Sequence, residues 1–500
     1  MYDVKVWLKD GQLIVQLPYE IRDRIKSLGA QWWPDRKSWT LPASPSTMQK
    51  VAALGACPDS VLLKNQAFED AVARYEKARD AKDSAGELDQ PTAIKSTMWP
   101  HQRQGYHFAR NLDACMLCMD MGTGKTLTAL AVLADLLETS PRSRALIICP
   151  RYVVPVWPKE IFKRTTMTPT VAGAHKTGDK DEEGFDLWIN DTGTIPQRID
   201  KARGAMRWES FVYVVNYEAL AQDAMREFLA GIKWDLIILD ESHRIKAPGG
   251  KISRFIRTVL RKRATKRLCL TGTPMPNNCL DIYAQYAFLD HNIFDPSFYL
   301  FKQRFCIVDN FGKPRSFINQ DEMTHKIYSI AFRVMATDVL TLPEKQDITL
   351  YCELESKAKQ AYEGMRKHML AEVDAGILTA ANAAVKLLRL RQITGGWLPL
   401  DTDDGQARAV RIGDEKQRLL HELLEDLPAE QPAVVFCQFH HDLDAVHDAA
   451  KALGRSSGEL SGRVNACGLT DWQAGKTTIL AAQIDSARDG IDLTRACVGV

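Results

Sequence analysis

Residues 114–137 read ACMLCM, then DMGTGKT, then LTALAVLADLL. The apolar run from Ala114 to Met119 has the length of a strand buried on both faces. Gly122, Thr123, Gly124, Lys125 and Thr126 follow as a small-residue loop. Leu127, Leu130, Leu133 and Leu137 then recur at the spacing of one helix face. Strand, glycine loop and helix in this order predict a phosphate cradle. Backbone N–H groups would face an anion, Lys125 would add a point charge, and the Thr126 hydroxyl would ligate Mg²⁺. The strict pattern asks for a glycine five residues before Gly124, where Met119 stands. Taken alone, the loop therefore also reads as a tight turn between a core strand and a core helix.

Working outward, the 500 residues suggest three to four domains, and the 45% apolar and 26% charged fractions are those of an ordinary globular chain. With a formal net charge of +2, any nucleic-acid surface must be a local patch. Cysteines such as Cys115, Cys118, Cys149, Cys269 and Cys437 sit inside apolar runs. Core packing is the reading of the Cys115–Cys118 pair, with a zinc site as the weaker alternative. Nothing at Met1 to Val15 resembles a signal peptide and no apolar run spans a membrane, so the expectation is a reduced, cytoplasmic protein.

The N-terminus alternates: Val4, Val6 and Leu8, a turn at Asp10-Gly11, then Leu13, Val15 and Leu17. Ile21, Ile25 and Leu28 suggest a short helix stopped by Gly29, and Trp32, Trp33 and Trp39 follow with Arg36 and Lys37 between them. This predicts a small ββα module over 1–55. Its aromatic and cationic side chains suit stacking on bases and pairing with phosphates, or else the tryptophans are simply its core. Residues 56–95 read as a helical connector, with Phe68, Val72 and Tyr75 at helical spacing among charges.

After Pro100, strands alternate with helices, as in a parallel sheet. Strands are predicted at Ala145–Cys149, Phe211–Val215, Leu236–Leu239 and Leu268–Leu270, each ending in a polar or proline-bearing element. Ligands of open parallel sheets bind beyond such strand ends. The apolar strand LIIL delivers Asp240 and Glu241 to that edge. The first carboxylate can hold Mg²⁺ and the second can orient and deprotonate the attacking water, while the alternative is a plain helix N-cap. Gln102, upstream of the loop, could read an adenine edge or merely sit on a helix surface.

MGTGKT, DESHRIK and LTGTPMPNN, in this order, resemble motifs I, II and III of superfamily-two helicases, and most of all the Swi/Snf-type double-stranded DNA translocases. LIICPRYVVPVWPKEI, VVNYEAL, LLRLRQITGG, AVVFCQF and QIDSARDGIDLTRA are similar to the family's further motifs, and the resemblance covers roughly residues 96–500. GAQWWPDRKSWTL loosely resembles the HARP-type modules of DNA-annealing helicases.

The resemblance implies an α/β protein with two RecA-like lobes, 96–293 and 416–500, a helical insertion over 294–415, and the small α+β module in front. It implies that Gln102 reads adenine, that Met121, Gly122, Thr123, Gly124, Lys125 and Thr126 hold the phosphates of ATP and its Mg²⁺, and that Asp240 is the metal-side carboxylate and Glu241 the base. Gly490 and Asp492 complete the nucleotide site from the second lobe. His243, Thr271 and Thr273 couple the nucleotide to the DNA track, and Pro150, Trp157, Asn216 and Tyr217 fall where the first lobe touches duplex DNA or supports that contact. Two departures stand out: Ser242 replaces the commoner alanine of the DExH tetrad, and Ala487-Arg488 replaces a Gly-Gly pair in motif V.

Between motifs II and III, Lys251 to Arg267 carries eight cationic residues and no acid, with Arg254, Arg257 and Arg261 predicted on one helical face opposite Phe255 and Val259. Such a stripe neutralises phosphates or else is a solvated face. The second lobe begins near Lys416, and the arginine-bearing motif VI of the family lies outside the sequence. The expectation is therefore that these 500 residues bind ATP but turn it over slowly compared with an extended version. The function implied is an ATP-dependent translocase on double-stranded or forked DNA, with cytoplasmic or nucleoid localisation. The alternatives are an RNA helicase of the same superfamily and a nucleotide-gated DNA-binding subunit of a defence or restriction assembly. Against the RNA alternative, PRYVVPVWPKEI is unlike the PTRELA-type segment of DEAD-box enzymes.

Overall fold

The computed structural model describes all residues except 1, 10–11, 20–21, 27, 29, 35–36, 43–46, 49–50, 52–59, 65, 84–87, 141, 181–183, 192, 208–209, 295–296, 310–312, 342–345, 375–379, 401–407, 465–466, 488–490 and 492. The chain divides into two units, 1–343 and 344–500.

The first unit is built on a seven-stranded, wholly parallel sheet. In spatial order its strands are Ala331–Val334, Ala114–Met119, Ala264–Thr271, Trp234–Asp240, Arg144–Cys149, Phe211–Asn216 and Thr170–Ala172. The four strands expected in sequence are present. Ala114–Met119 and Phe211–Asn216 are buried at every position, which is why they read as unbroken apolar runs and not as alternation. Helices such as Pro100–Arg110 and Lys125–Thr139 cover the sheet, and Lys125–Thr139 buries Leu130, Leu133 and Leu137 as its spacing predicts. Register pairs Asp240 with Leu270 and Thr271 with Cys118. The carboxylate turn, the TGTP loop and the phosphate loop therefore leave the sheet at one edge. Cys115 and Cys118 lie buried in the core, and no cluster of three metal-ligating side chains occurs among the described residues.

The structure moves two expected boundaries. The 1–55 module is a five-stranded sheet whose fifth strand, Ser60–Lys64, pairs parallel with Tyr2–Lys9 and comes from the stretch expected to be a helical connector. The helix that follows, Gln66–Asp83, buries Phe68 among Val4, Val6, Leu13 and Val15. Its far end carries Ala78 into the core of the large sheet, so the expected connector helix packs along one face and leaves the other exposed. The Asp10-Gly11 turn, Gly29 and Arg36 lie outside the described residues. Of the three tryptophans only Trp39 is buried; Trp32 packs against it at 5.2 Å between ring centroids but stays half exposed, as does Trp33.

The first lobe also does not stop at 293. Helix Phe298–Phe305 docks through aromatic contacts, Phe301 lying 5.1 Å from Tyr283 and 4.9 Å from Phe294 between centroids. Ala331–Val334 then supplies an edge strand. A four-residue strand between helices carries too little periodicity to be read from sequence.

The second unit holds a four-stranded parallel sheet in the order Ser457–Leu460, Ile479–Gln483, Ala433–Cys437, Val498–Gly499. Ala433, Val435 and Cys437 face the helices Glu415–Asp426 and His440–Ala452, while Val434 and Leu480 face Trp472 on the other side. Before it, the helices Ser356–Asp374 and Ala380–Thr394 lie within the 294–415 stretch expected as a helical insertion. The hairpin Trp397–Leu400 with Arg408–Arg411 follows. No described helix is long and apolar enough to cross a membrane.

Candidate functional site

The phosphate loop leaves its strand at Asp120 and enters the helix at Lys125, with Gly124 as the residue before the first helical turn. Gly122 and Gly124 have φ of +81° and +87°, the left-handed region that a side chain resists. At Gly124 a Cβ would also overlap the Gln102 amide nitrogen. The backbone of the loop therefore demands glycine at Gly124, as a phosphate cradle and a tight turn both would. Thr123 is fully buried and donates its hydroxyl to the Asp120 carbonyl at 2.8 Å. Two side chains from the helix Pro100–Arg110 brace the loop from outside. His101 Nε2 and Gln102 Nε2 both meet the Thr123 carbonyl, at 2.8 and 3.1 Å. Gln102 is thus buried against the phosphate loop and not on a helix surface; its Oε1 accepts from the Trp99 N–H at 2.9 Å. Met121 stands exposed beside the loop.

Across the edge, Asp240 and Glu241 are both buried. Asp240 is held by neutral donors: the Trp157 indole N–H at 3.0 Å to Oδ2 and the Glu241 N–H at 3.0 Å to Oδ1. The Tyr217 hydroxyl fixes the same turn by donating to the Asp240 carbonyl at 2.9 Å. Burial, with the Glu241 charge next to it, pushes the Asp240 carboxyl up to about 6. Glu241 is also raised by burial, but the hydrogen bond from His243 and the charges of Lys125 and His243 outweigh that and hold it below the usual carboxylate range. Lys125 Nζ lies 3.6 Å from Glu241 Oε1, so motifs I and II meet directly.

Glu241 itself has φ +48° and ψ +54°, one of three described non-glycine residues with positive φ. Such a conformation costs of order 1–3 kcal/mol and persists only where neighbours hold it. His243 Nδ1 lies 3.2 Å from Thr271 Oγ1 and 3.4 Å from Glu241 Oε2. The Thr273 N–H donates to Thr271 Oγ1 at 3.1 Å. His243, Thr271 and Thr273, expected to couple the nucleotide to the DNA track, thus form one connected chain from Glu241 to the TGTP loop.

Residues expected at the nucleic-acid face fare differently. Pro150, Trp157, Asn216 and Tyr217 are all buried. Trp157 and Tyr217 are the props of Asp240, and Asn216 donates to Glu218 at 2.8 Å while accepting from Arg198. Trp157 and Tyr217 thus brace the site, and all four residues are withdrawn from the surface in this structure. The cationic stripe also breaks up. Helix Lys251–Thr258 ends before Arg261, which falls on the separate turn Leu260–Arg263. Arg257 donates to the Pro248 carbonyl and Arg261 to the Arg257 carbonyl, both half-buried, and burial holds Arg261 below its ordinary range against the pull of Asp290. Arg254 alone of the three is exposed. Phe255 is buried as expected. Gly490, Asp492 and Arg488 lie outside the described residues.

Sequence reading missed two members of the site, His101 and Asp120, and one residue packed behind it, Gln285. His101 and Asp120 carried no motif signal; Asp120 Oδ2 accepts from the Ala336 N–H at 3.0 Å, tying the loop to the segment after the edge strand. Gln285 did carry one, as the single polar amide of the apolar helix IYAQYAFL.

A family model described as SNF2-related domain matches residues 76–395. The CHD3-type chromatin-remodeling factor PICKLE of Arabidopsis thaliana is 24% identical over 420 residues, 77% of this chain and 28% of its own length. Putative protein p41 of Acyrthosiphon pisum secondary endosymbiont phage 1 is 26% identical over 392 residues, 75% of this chain and 77% of its own. Among solved structures, the Sulfolobus solfataricus SWI2/SNF2 ATPase core in complex with dsDNA matches at 22% identity and TM-score 0.41, covering 82% of this chain and 83% of that one. The chain spans less than a third of the plant relative's length.

Proposed function

The chain belongs to the SNF2-related domain family, and from that premise we propose that it is a DNA-dependent ATP hydrolase that converts hydrolysis into movement along double-stranded DNA, including forked DNA. One observation carries this reading. Lys125 of the glycine loop meets Glu241 at 3.6 Å at the carboxyl edge of a parallel sheet, with Asp240 beside it. A nucleotide triphosphate is the substrate this edge suits. Lys125 and the loop N–H groups bind its phosphates, and Glu241, held ionised by His243 and Lys125, takes the proton of the attacking water.

Mg²⁺ fits the donors present: Thr126 and Asp240 would hold it, and it would neutralise phosphate charge as the bond to the leaving group breaks. With no cluster of three metal-ligating side chains among the described residues, most of its coordination would fall to phosphate oxygens and water. In our reading Gln102 reads adenine, which requires its amide to exchange the Thr123 carbonyl for the base edge. His243, Thr271 and Thr273 carry the state of Glu241 toward the DNA-facing loops. We place the protein in the cytoplasm, on its DNA.

The test is ATP hydrolysis with no nucleic acid, blunt duplex DNA or duplex RNA, for wild type and Glu241→Gln. Stimulation by duplex DNA that vanishes in the variant is the expected result. Stimulation by RNA alone would move the chain to the RNA-helicase reading, and nucleotide binding with no hydrolysis under any condition would make it a nucleotide-gated binding subunit.

A further inference from the structure

Ser242 follows the left-handed Glu241 and is completely buried. Its hydroxyl donates to Gln285 Oε1 at 2.7 Å. Gln285, also completely buried, donates through Nε2 to the Pro274 carbonyl at 2.7 Å and to the Asp281 carbonyl at 3.1 Å. Pro274 is the last residue of the TGTP loop. The carboxylate turn and that loop are therefore joined twice: through His243, Thr271 and Thr273 on one side, and through Ser242, Gln285 and Pro274 on the other. The second path is dry throughout its side chains, and both amide atoms of Gln285 are in use. A hydroxyl and an amide deep in an apolar wall are costly unless each satisfies the other. The replacement of the family's commoner alanine by Ser242 is thus matched by a partner on a different helix.

Resting on the function proposed above, we propose that Gln285 is a positioning residue that, through Ser242 and the Pro274 carbonyl, ties the strained Glu241 turn to the TGTP loop, so that a change of nucleotide at Glu241 is passed to the DNA grip. Rigid dipoles in a water-excluded site keep a fixed register between the elements they join. Ser242, pinned by Gln285, transmits any relaxation of the Glu241 backbone to Pro274 instead of absorbing it.

The experiment measures the affinity of the full chain for a labelled blunt duplex with and without a non-hydrolysable ATP analogue, together with the affinity for that analogue. Wild type should change its duplex affinity on nucleotide binding by at least about fivefold. Gln285→Leu should bring that ratio close to one while leaving nucleotide affinity within about twofold, since the phosphate loop is untouched. Ser242→Ala should shift the ratio in the same direction, Ser242→Thr should retain it, and the double variant should be no worse than Gln285→Leu, because the two side chains act as one unit. Ser242→Ala removes only a hydroxyl, so it decides the matter should Gln285→Leu fail to fold. A wild-type ratio retained in the variants, or a parallel fall in nucleotide affinity, overturns the coupling role and leaves Gln285 as packing. A wild type whose duplex affinity ignores nucleotide overturns the proposed function itself, and this inference with it.

Discussion

Asp240 in the first unit and Glu459 in the second are both buried carboxylates at or near the end of a parallel strand, and they are treated in opposite ways. Glu459 accepts from Arg463 Nε and Nη2 at 2.9 Å each, from Ser461, and from His447 Nε2 at 3.0 Å. The Arg463 hydrogen bonds, outweighing burial, bring its carboxyl down to about 2. Asp240 has only neutral donors and a second carboxylate for company, and it rises to about 6. The nearest cation, Lys125, leans on Glu241 instead. A buried charge fully answered by its neighbours is structure. One left short of cations would be stabilised by binding one, which is what the Mg-nucleotide of the proposed function would supply.

The sharpest way to break this contrast is Glu241→Gln. If the first-unit carboxylates are catalytic, turnover should fall by about 10²–10⁴ while nucleotide binding persists. Glu459→Gln should leave turnover within about twofold, because a carboxylate saturated by its own unit has no part in the chemistry. Equal losses in the two variants, measured by phosphate release, would erase the distinction.

The loop facing Asp240 gives the next largest effect. Gly124→Ala forces a Cβ into the Gln102 amide at a left-handed φ, and nucleotide affinity should drop by at least about tenfold in a fluorescent-nucleotide titration. Gly178, with φ +93° and open space around it, is the control for backbone strain alone: its alanine variant should keep wild-type nucleotide affinity.

The same contrast has a signature in pH, read without metal or nucleotide from urea midpoints. Asp240 binds its proton more tightly folded than unfolded, so its contribution to stability is complete below about pH 4 and is lost as pH rises through about 6. The midpoint of Asp240→Asn relative to wild type should therefore improve from acid to neutral pH, by at most about 3 kcal/mol. For Glu459 the sign reverses. Its contribution is present above the unfolded pKa near 4.5 and is lost as pH falls toward 2. Glu459→Gln should be destabilised at neutral pH and converge on wild type in acid. Parallel slopes would mean that the two sites are electrostatically alike.

The elements most legible in sequence are those where chemistry and fold demand the same residues. Gly124, Lys125, Asp240, His243 and Thr271 converge because each lies at or just beyond a strand end, and a strand end is visible as the stop of an apolar run. The strands Ser60–Lys64 and Ala331–Val334 were not legible, since a five- or four-residue edge strand is defined by its partner and not by its own pattern. Trp157 and Tyr217 were singled out for a place at or behind the DNA face, and the structure buries both against Asp240. An aromatic ring near a motif reads the same whether it meets a nucleic acid or props a carboxylate, and only burial separates the two. Gln285 could be seen as an oddity, but its partner Ser242 lies 43 positions away in the chain.

The smallest expected effect comes from the cationic run, where sequence and structure diverge most. A charge run has no geometric requirement, so its members can drift into unrelated work. Arg261 is half-buried on its own turn, spends its Nε–H on the Arg257 carbonyl, and faces Asp290. Arg254 stays exposed on the helix Lys251–Thr258. Arg261→Ala should therefore lower the urea midpoint without altering the salt dependence of duplex binding. Arg254→Ala should do the converse: stability within about 0.5 kcal/mol of wild type, and a log–log salt slope shallower by about 0.9 if that side chain meets one phosphate. Were Arg261 to flatten the slope and Arg254 to leave it unchanged, the buried arginine would have to swing out on binding DNA, and the stripe that sequence suggested would exist only in the complex.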